Sequence, residues 1–84
     1  MLKEFTDCLY ELFVRQNIEL CESLRIMSGK PKKDKISKAA MYILGLLENG
    51  TLFSNALKTC AFIEFDKVYI SFILLAEKNG YFIL

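Results

Sequence analysis

Eighty-four residues, 54% hydrophobic and 25% charged, suit one small globular domain and exclude a disordered chain. A net charge of +1 gives no overall attraction to nucleic acid or to anionic lipid. The lack of any histidine excludes a histidine-based catalytic triad and a zinc site built on histidine and cysteine.

Leu2, Phe5, Leu9 and Leu12 recur at three and four residues, which predicts the apolar face of an amphipathic first helix. Asn17 can close that helix in a left-handed conformation. Leu20, Leu24 and Met27 continue the period in a shorter second helix that ends at Gly29. The stretch from Lys30 to Lys33 holds the only proline and reads as a connecting loop, with the lysines of "GKPKKDK" as a solvated basic cluster.

Asp34 is placed to cap a third helix, with Ile36, Ala40, Ile43 and Leu47 inward and Gly50 just past its end. A fourth short helix covers about Phe53 to Thr59, and "CAFIEF" follows as a hydrophobic connection. Asp66 can cap a fifth helix that runs to Lys78, with Gly80 beyond it. That helix is apolar nearly all round, from Val68 through Ala76, which places it in the middle of a bundle. No second segment shows strand alternation to pair with "KVYISFILL", so the fold class is all-α.

Two helical hairpins echo each other. Leu9, Phe13, Asn17, Leu20, Ser23 and Leu24 reappear 33 positions on as Tyr42, Leu46, Gly50, Phe53, Ala56 and Leu57. Each unit is a longer helix, a tight turn at Asn or Gly, and a shorter helix with a small residue beside a leucine. The period is near that of helical repeat arrays, but two copies fall short of the three an array needs, so duplication within one bundle is the plainer account.

Three stretches carry more than helix periodicity. "FVRQNIELCESL" is a leucine-rich helix, a turn and a second helix; "NGTLFSNAL" holds Gly50, Ser54, Ala56 and Leu57; "FDKVYISFILLAEKNGYF" holds Phe65, Tyr69, Glu77 and Gly80. In that order they resemble the cytoplasmic domain of the inner-membrane platform protein of type II secretion systems and type IV pili, the family named for the secretion F protein. The matching patterns are a Gly-Ile turn, Gly-x-Ser-Leu-Ser-x-Ala-Leu, and Phe-x-x-x-Tyr leading to Gly-Glu-x-x-Gly. The chain departs from them at several points. Asn17 stands for the usual glycine, Glu19 for a common proline, Phe53 for leucine and Ala76 for the first glycine of the last motif. Leu52 replaces a serine, which leaves Thr51 or Ser54 to cap the fourth helix.

The resemblance implies an antiparallel bundle of six helices, five of them encoded here as two related hairpins plus a central apolar helix. In the family, membrane helices and a second copy of the domain follow. Residues 1–84 are therefore expected to be a single cytoplasmic helical-bundle domain, a fragment lacking the last helix, soluble by itself and tied to the membrane only through absent parent segments. It is expected to lie at the cytoplasmic face of the bacterial inner membrane as a non-catalytic scaffold. The partners implied are the assembly ATPase and other inner-membrane platform proteins, with self-association as a homodimer, no nucleic acid and no cofactor.

The candidate interaction and motif residues are Asn17, Gly50, Ala56, Leu57, Phe65, Tyr69, Glu77 and Gly80. Glu77 stands out on physical grounds as well. A carboxylate in the last turn of a helix faces the negative end of the backbone dipole, at a cost of about 0.3–1 kcal/mol if exposed and uncompensated. Lys78 or solvent can satisfy it. The N-terminus of another helix, a lysine or a hard cation compensates it better, which makes Glu77 a weak metal candidate; no metal site is expected.

Asp7 and Glu11 lie one turn apart, as carboxylates on solvated helix faces commonly do, and no base is available to activate Cys8, Cys21 or Cys60. The cysteines are odd in number, lack CxxC spacing, and read as reduced small hydrophobes of a cytosolic protein. Lys3, Glu4 and Asp7 interrupt any signal-peptide pattern, and the longest apolar run is nine residues where a spanning helix needs about 20. Glu4, Asp7, Glu11, Glu19 and Glu22, set against Lys3, Arg15 and Arg25, suggest an acidic partner-facing surface. A helical-repeat, TPR-like peptide-binding adaptor is the alternative function. An enzyme is the weakest reading, because no nucleophile–base pair can be assembled.

Overall fold

The computed structural model describes residues 1–29 and 34–82; the lysine cluster of residues 30–33 and the last two residues of "YFIL" lie outside them. The described chain is helical throughout its regular structure: α1 (Leu2–Leu9), continued by a π-helical segment (Tyr10–Arg15), α2 (Leu20–Ser28), α3 (Lys35–Glu48), α4 (Phe53–Thr59) and α5 (Lys67–Lys78). The protein is an all-α helical bundle.

The caps follow from the residues that flank each helix. The Asp34 carboxylate accepts from the Ser37 backbone N–H at 2.9 Å, and that of Asp66 accepts from Tyr69 N–H at 2.8 Å, so α3 and α5 begin where the sequence indicated. Both helices end on Asn-Gly. The Thr51 N–H donates to Leu46 O and Gly50 N–H to Leu47 O, each at 3.0 Å; Tyr81 N–H donates to Ala76 O at 2.9 Å and Gly80 N–H to Glu77 O at 3.1 Å. These are Schellman closures, and they require the positive φ that Gly50 (92°) and Gly80 (88°) adopt without a Cβ penalty.

The first helix ends differently. Asn17 takes φ 55°, as expected, but the last turns are widened: Gln16 N–H donates to Glu11 O and Ile18 N–H to Leu12 O, each at 3.0 Å. The i→i−5 bond is the π-helical pattern and the wider i→i−6 bond closes the turn after it, an ending that the apolar spacing did not announce.

The duplication is visible in burial. Leu20 and Phe53 open the second helix of each hairpin inside the core, Ser23 and Ala56 are fully buried, and Leu24 and Leu57 follow them inward. Ser23 meets its hydrogen-bonding need by donating to Ile18 O at 3.1 Å. The core is built from these positions with Phe5, Leu9, Met27, Ile36, Ile43 and Leu47, and it is closed by Ile63 and Phe65 from the "CAFIEF" connection.

The fifth helix does not lie at the centre. It has no fully buried residue; Phe72 is 67% exposed, Val68 66% and Leu75 57%. α2 lies chiefly against α3, and α5 packs along α4 from one side. Its inward residues, Tyr69, Ile70 and Ile73, only line the edge of the core. An apolar composition all round a helix cannot specify which side is covered, and the interior was already filled by the side chains of α1 to α4.

Candidate functional site

The family motif residues come together most closely where the C-terminus of α5 meets the N-terminus of α4. Leu52, the residue before α4, is extended and offers no side-chain acceptor. The first turn of any helix leaves backbone N–H groups without intrahelical partners. Here Glu77 reaches across from α5: its Oε2 accepts from the Ser54 backbone N–H at 3.0 Å and its Oε1 from Ser54 Oγ at 2.7 Å. Neither Thr51 nor Ser54 caps α4, as the sequence had suggested. Ser54 is the donor, and the cap comes from a carboxylate 23 residues away.

The geometry resolves the electrostatic oddity of Glu77. At the end of its own helix the carboxylate is unfavourably placed, whereas at the N-terminus of α4 it meets the positive end of a dipole. Hydrogen bonds to a charged group contribute about 1.5–3 kcal/mol. Both carboxylate oxygens are engaged by Ser54, and among the described residues no three His, Cys, Asp or Glu side chains gather as metal ligands. Gly50 and Glu77 line one cleft of about 420 Å3, with Leu52, Phe53, Tyr81 and Phe82 as neighbours.

A second junction ties α5 to the first helix. Phe65 packs edge-on against Phe5 (ring centroids 5.2 Å) and tilted against Tyr69 (5.4 Å). The Tyr69 hydroxyl accepts from Thr6 Oγ1 at 3.0 Å. Burial pushes the Tyr69 phenol above its ordinary value, partly offset by the Thr6 donor.

The remaining candidates divide between core and surface. Ala56 and Leu57 are buried packing positions, and Gly80 serves the α5 closure. Asn17 is exposed and lines a separate cleft with Phe13, Ile18 and Phe82. The sequence reading missed Thr6 and Phe82. Phe82 turns back into the bundle with φ 59°, stacked on Phe13 (5.1 Å) and edge-on to Phe53 (5.1 Å). The first residues after Gly80 therefore fold back onto their own chain. A bulky residue in the left-handed region costs on the order of 1–3 kcal/mol and persists only where its surroundings hold it. No local sequence signal marks either residue, because both act through partners distant in the chain.

The expected acidic face is largely paired with its own cations. Lys3 bonds Asp7 at 2.9 Å, Arg25 bonds Glu22 at 2.7 Å and Glu48 at 3.0 Å, and Arg15 stands 3.8 Å from Glu11. The Cys21 thiol is pushed up by burial and then by Glu48, which lowers its thiolate character. No helix among the described residues is long and apolar enough to cross a membrane.

An all-α bundle in which one helix is clamped to two related hairpins is the class of protein that the geometry defines. Residues 5–82 match the family described as type II secretion system (T2SS), protein F, and the chain belongs to that family. Curated proteins and solved structures give no match.

Proposed function

We propose that this domain is a non-catalytic scaffold of the inner-membrane platform of a bacterial type II secretion or type IV pilus system. It sits at the cytoplasmic face of the inner membrane and helps couple the assembly ATPase to pilin or pseudopilin assembly. It acts as a homodimer and needs no cofactor. The observation that carries this reading is the family match across nearly the whole chain. The fold supports it physically: caps at both ends of α5 and a continuous apolar core make a rigid body suited to holding partners in register. Through its surface the domain meets the ATPase and other platform components. The test is co-purification of the tagged domain with the assembly ATPase of the same cell, paired with a secretion or piliation assay on a chromosomal deletion of residues 5–82. Capture of the ATPase and loss of assembly are expected; no capture together with intact assembly overturns the reading.

The repeat-adaptor alternative draws on the matched burial of the two hairpins. It predicts tight binding of an extended peptide between hairpins, which the same co-purification would reveal as a different set of captured proteins.

A further inference from the structure

The irregular backbone of the molecule gathers at one place. Among the described residues, Tyr10–Arg15 is the single π-helical stretch, and Asn17 and Phe82 are the two non-glycine residues with positive φ, 55° and 59°. Asn17 and Phe82 line the same cleft of about 390 Å3, together with Phe13 from the π-helical segment. Asparagine visits the left-handed region readily, whereas phenylalanine there is an outlier that its contacts must hold. Two rings do the holding: Phe82 stacks on Phe13 and meets Phe53 edge-on, each at 5.1 Å. The Phe82 ring is only half-buried and also borders a cleft toward Glu77 and another toward Tyr69.

We propose that Phe82 and the π-helical segment form a two-state latch, in which withdrawal of the Phe82 ring lets Tyr10–Arg15 rewind to α-helical spacing. The hydrogen bonds supply the discrete alternative. With the ring seated, Gln16 N–H donates to Glu11 O and Ile18 N–H to Leu12 O, each at 3.0 Å. With α-helical spacing the Gln16 donor moves to Leu12 O, four residues back, and takes the acceptor that Ile18 uses in the seated state. Each state has something in its favour, which is what makes such an element bistable. The apolar period of Leu2, Phe5, Leu9 and Leu12 is α-helical, and a released Phe82 is relieved of its left-handed backbone. The seated state has the two ring contacts instead. The latch also reaches the core. Ile18 O accepts from the fully buried Ser23 Oγ at 3.1 Å, so a change at Ile18 is felt by α2. The backbone that leaves α5 is thereby coupled to the end of the first helix and the start of the second.

Magnetic-resonance couplings transmitted through hydrogen bonds identify the carbonyl to which each amide donates, and hydrogen exchange reports how often the Ile18 amide opens. In the full chain, Gln16 N–H should couple to the Glu11 carbonyl. In Phe82→Ala it should couple to the Leu12 carbonyl, with exchange at Ile18 faster by roughly tenfold, the loss expected for two ring contacts. Tyr81→Ala, at an exposed neighbour, should leave both readouts as they are. Replacing Phe82 by its D-enantiomer through chemical synthesis keeps the ring and makes a φ near 59° the relaxed conformation. Exchange at Ile18 should then slow by roughly 5- to 150-fold, the factor that relief of such strain supplies. This arm favours the folded state and decides the matter if Phe82→Ala does not fold. Gln16 still donating to Glu11 in a folded Phe82→Ala overturns the latch, as does the same rearrangement in Tyr81→Ala. Exchange at Ile18 that is unchanged or faster with the D-enantiomer overturns it equally.

Discussion

The two hairpins share a plan but are fastened to α5 by different chemistry. In the second, the Glu77 carboxylate holds the start of α4 through two charge-assisted bonds from Ser54, at 3.0 and 2.7 Å. In the first, a single neutral contact, Thr6 to Tyr69 at 3.0 Å, ties α5 to α1, supported by the Phe5–Phe65 ring contact. The starts of the two short helices differ accordingly: neither Glu19 before α2 nor Leu52 before α4 supplies a side-chain cap, and among the described residues only α4 receives one from elsewhere. Equivalent backbone positions can thus go without a side-chain cap in one hairpin and receive one from a distant residue in the other.

The largest test asks whether the hairpins contribute equally to the core. Leu24 and Leu57 are equivalent by the 33-residue offset and both essentially without solvent exposure. Leu24→Ala and Leu57→Ala should each cost about 2–5 kcal/mol in urea unfolding, a large share of the stability of so small a domain. Phe72→Ala, by contrast, should change the unfolding free energy of the monomer by about 0.5 kcal/mol or less, as surface substitutions do. If Phe72→Ala proves as damaging as Leu57→Ala, α5 is more central than its exposure indicates.

The clamp on the second hairpin comes next. Glu77→Gln keeps the side-chain size but turns one acceptor into a donor opposite Ser54, and should cost about 1.5–3 kcal/mol. Ser54→Ala should cost less, because the backbone N–H remains. The double variant should be milder than the sum by about 0.5 kcal/mol or more, as expected for two residues in one network. Strict additivity in thermal and urea unfolding would separate Glu77 from Ser54.

The clamp on the first hairpin should be the weakest. Tyr69→Phe removes one neutral hydrogen bond, about 0.5–1.5 kcal/mol near neutral pH. Its signature lies at alkaline pH. The folded phenol holds its proton above the ordinary tyrosine value of about 10, so in the interval above that value the unfolded chain binds fewer protons than the folded one. Stability therefore falls as pH rises through that interval, and the contribution is complete below it. Tyr69→Phe should flatten this alkaline decline in denaturant midpoints measured from neutral pH upward; an unchanged slope would show that Tyr69 is not the residue responsible.

The sequence by itself determined the helices, because their signals are local. Asp34 and Asp66 each cap within three residues, and Asn17, Gly50 and Gly80 supply the turns. It also singled out Glu77, since a carboxylate against its own helix dipole is a local anomaly that calls for a partner. Tertiary structure alone decided who that partner is, because Ser54 meets Glu77 only when α4 and α5 pack. It decided the place of α5 in the same way: hydrophobicity tells how much apolar surface must be covered, whereas the volume already filled by the other helices decides which side is. The ridge of Val68, Phe72 and Leu75 is apolar enough for an interior and lies outside because the interior was full.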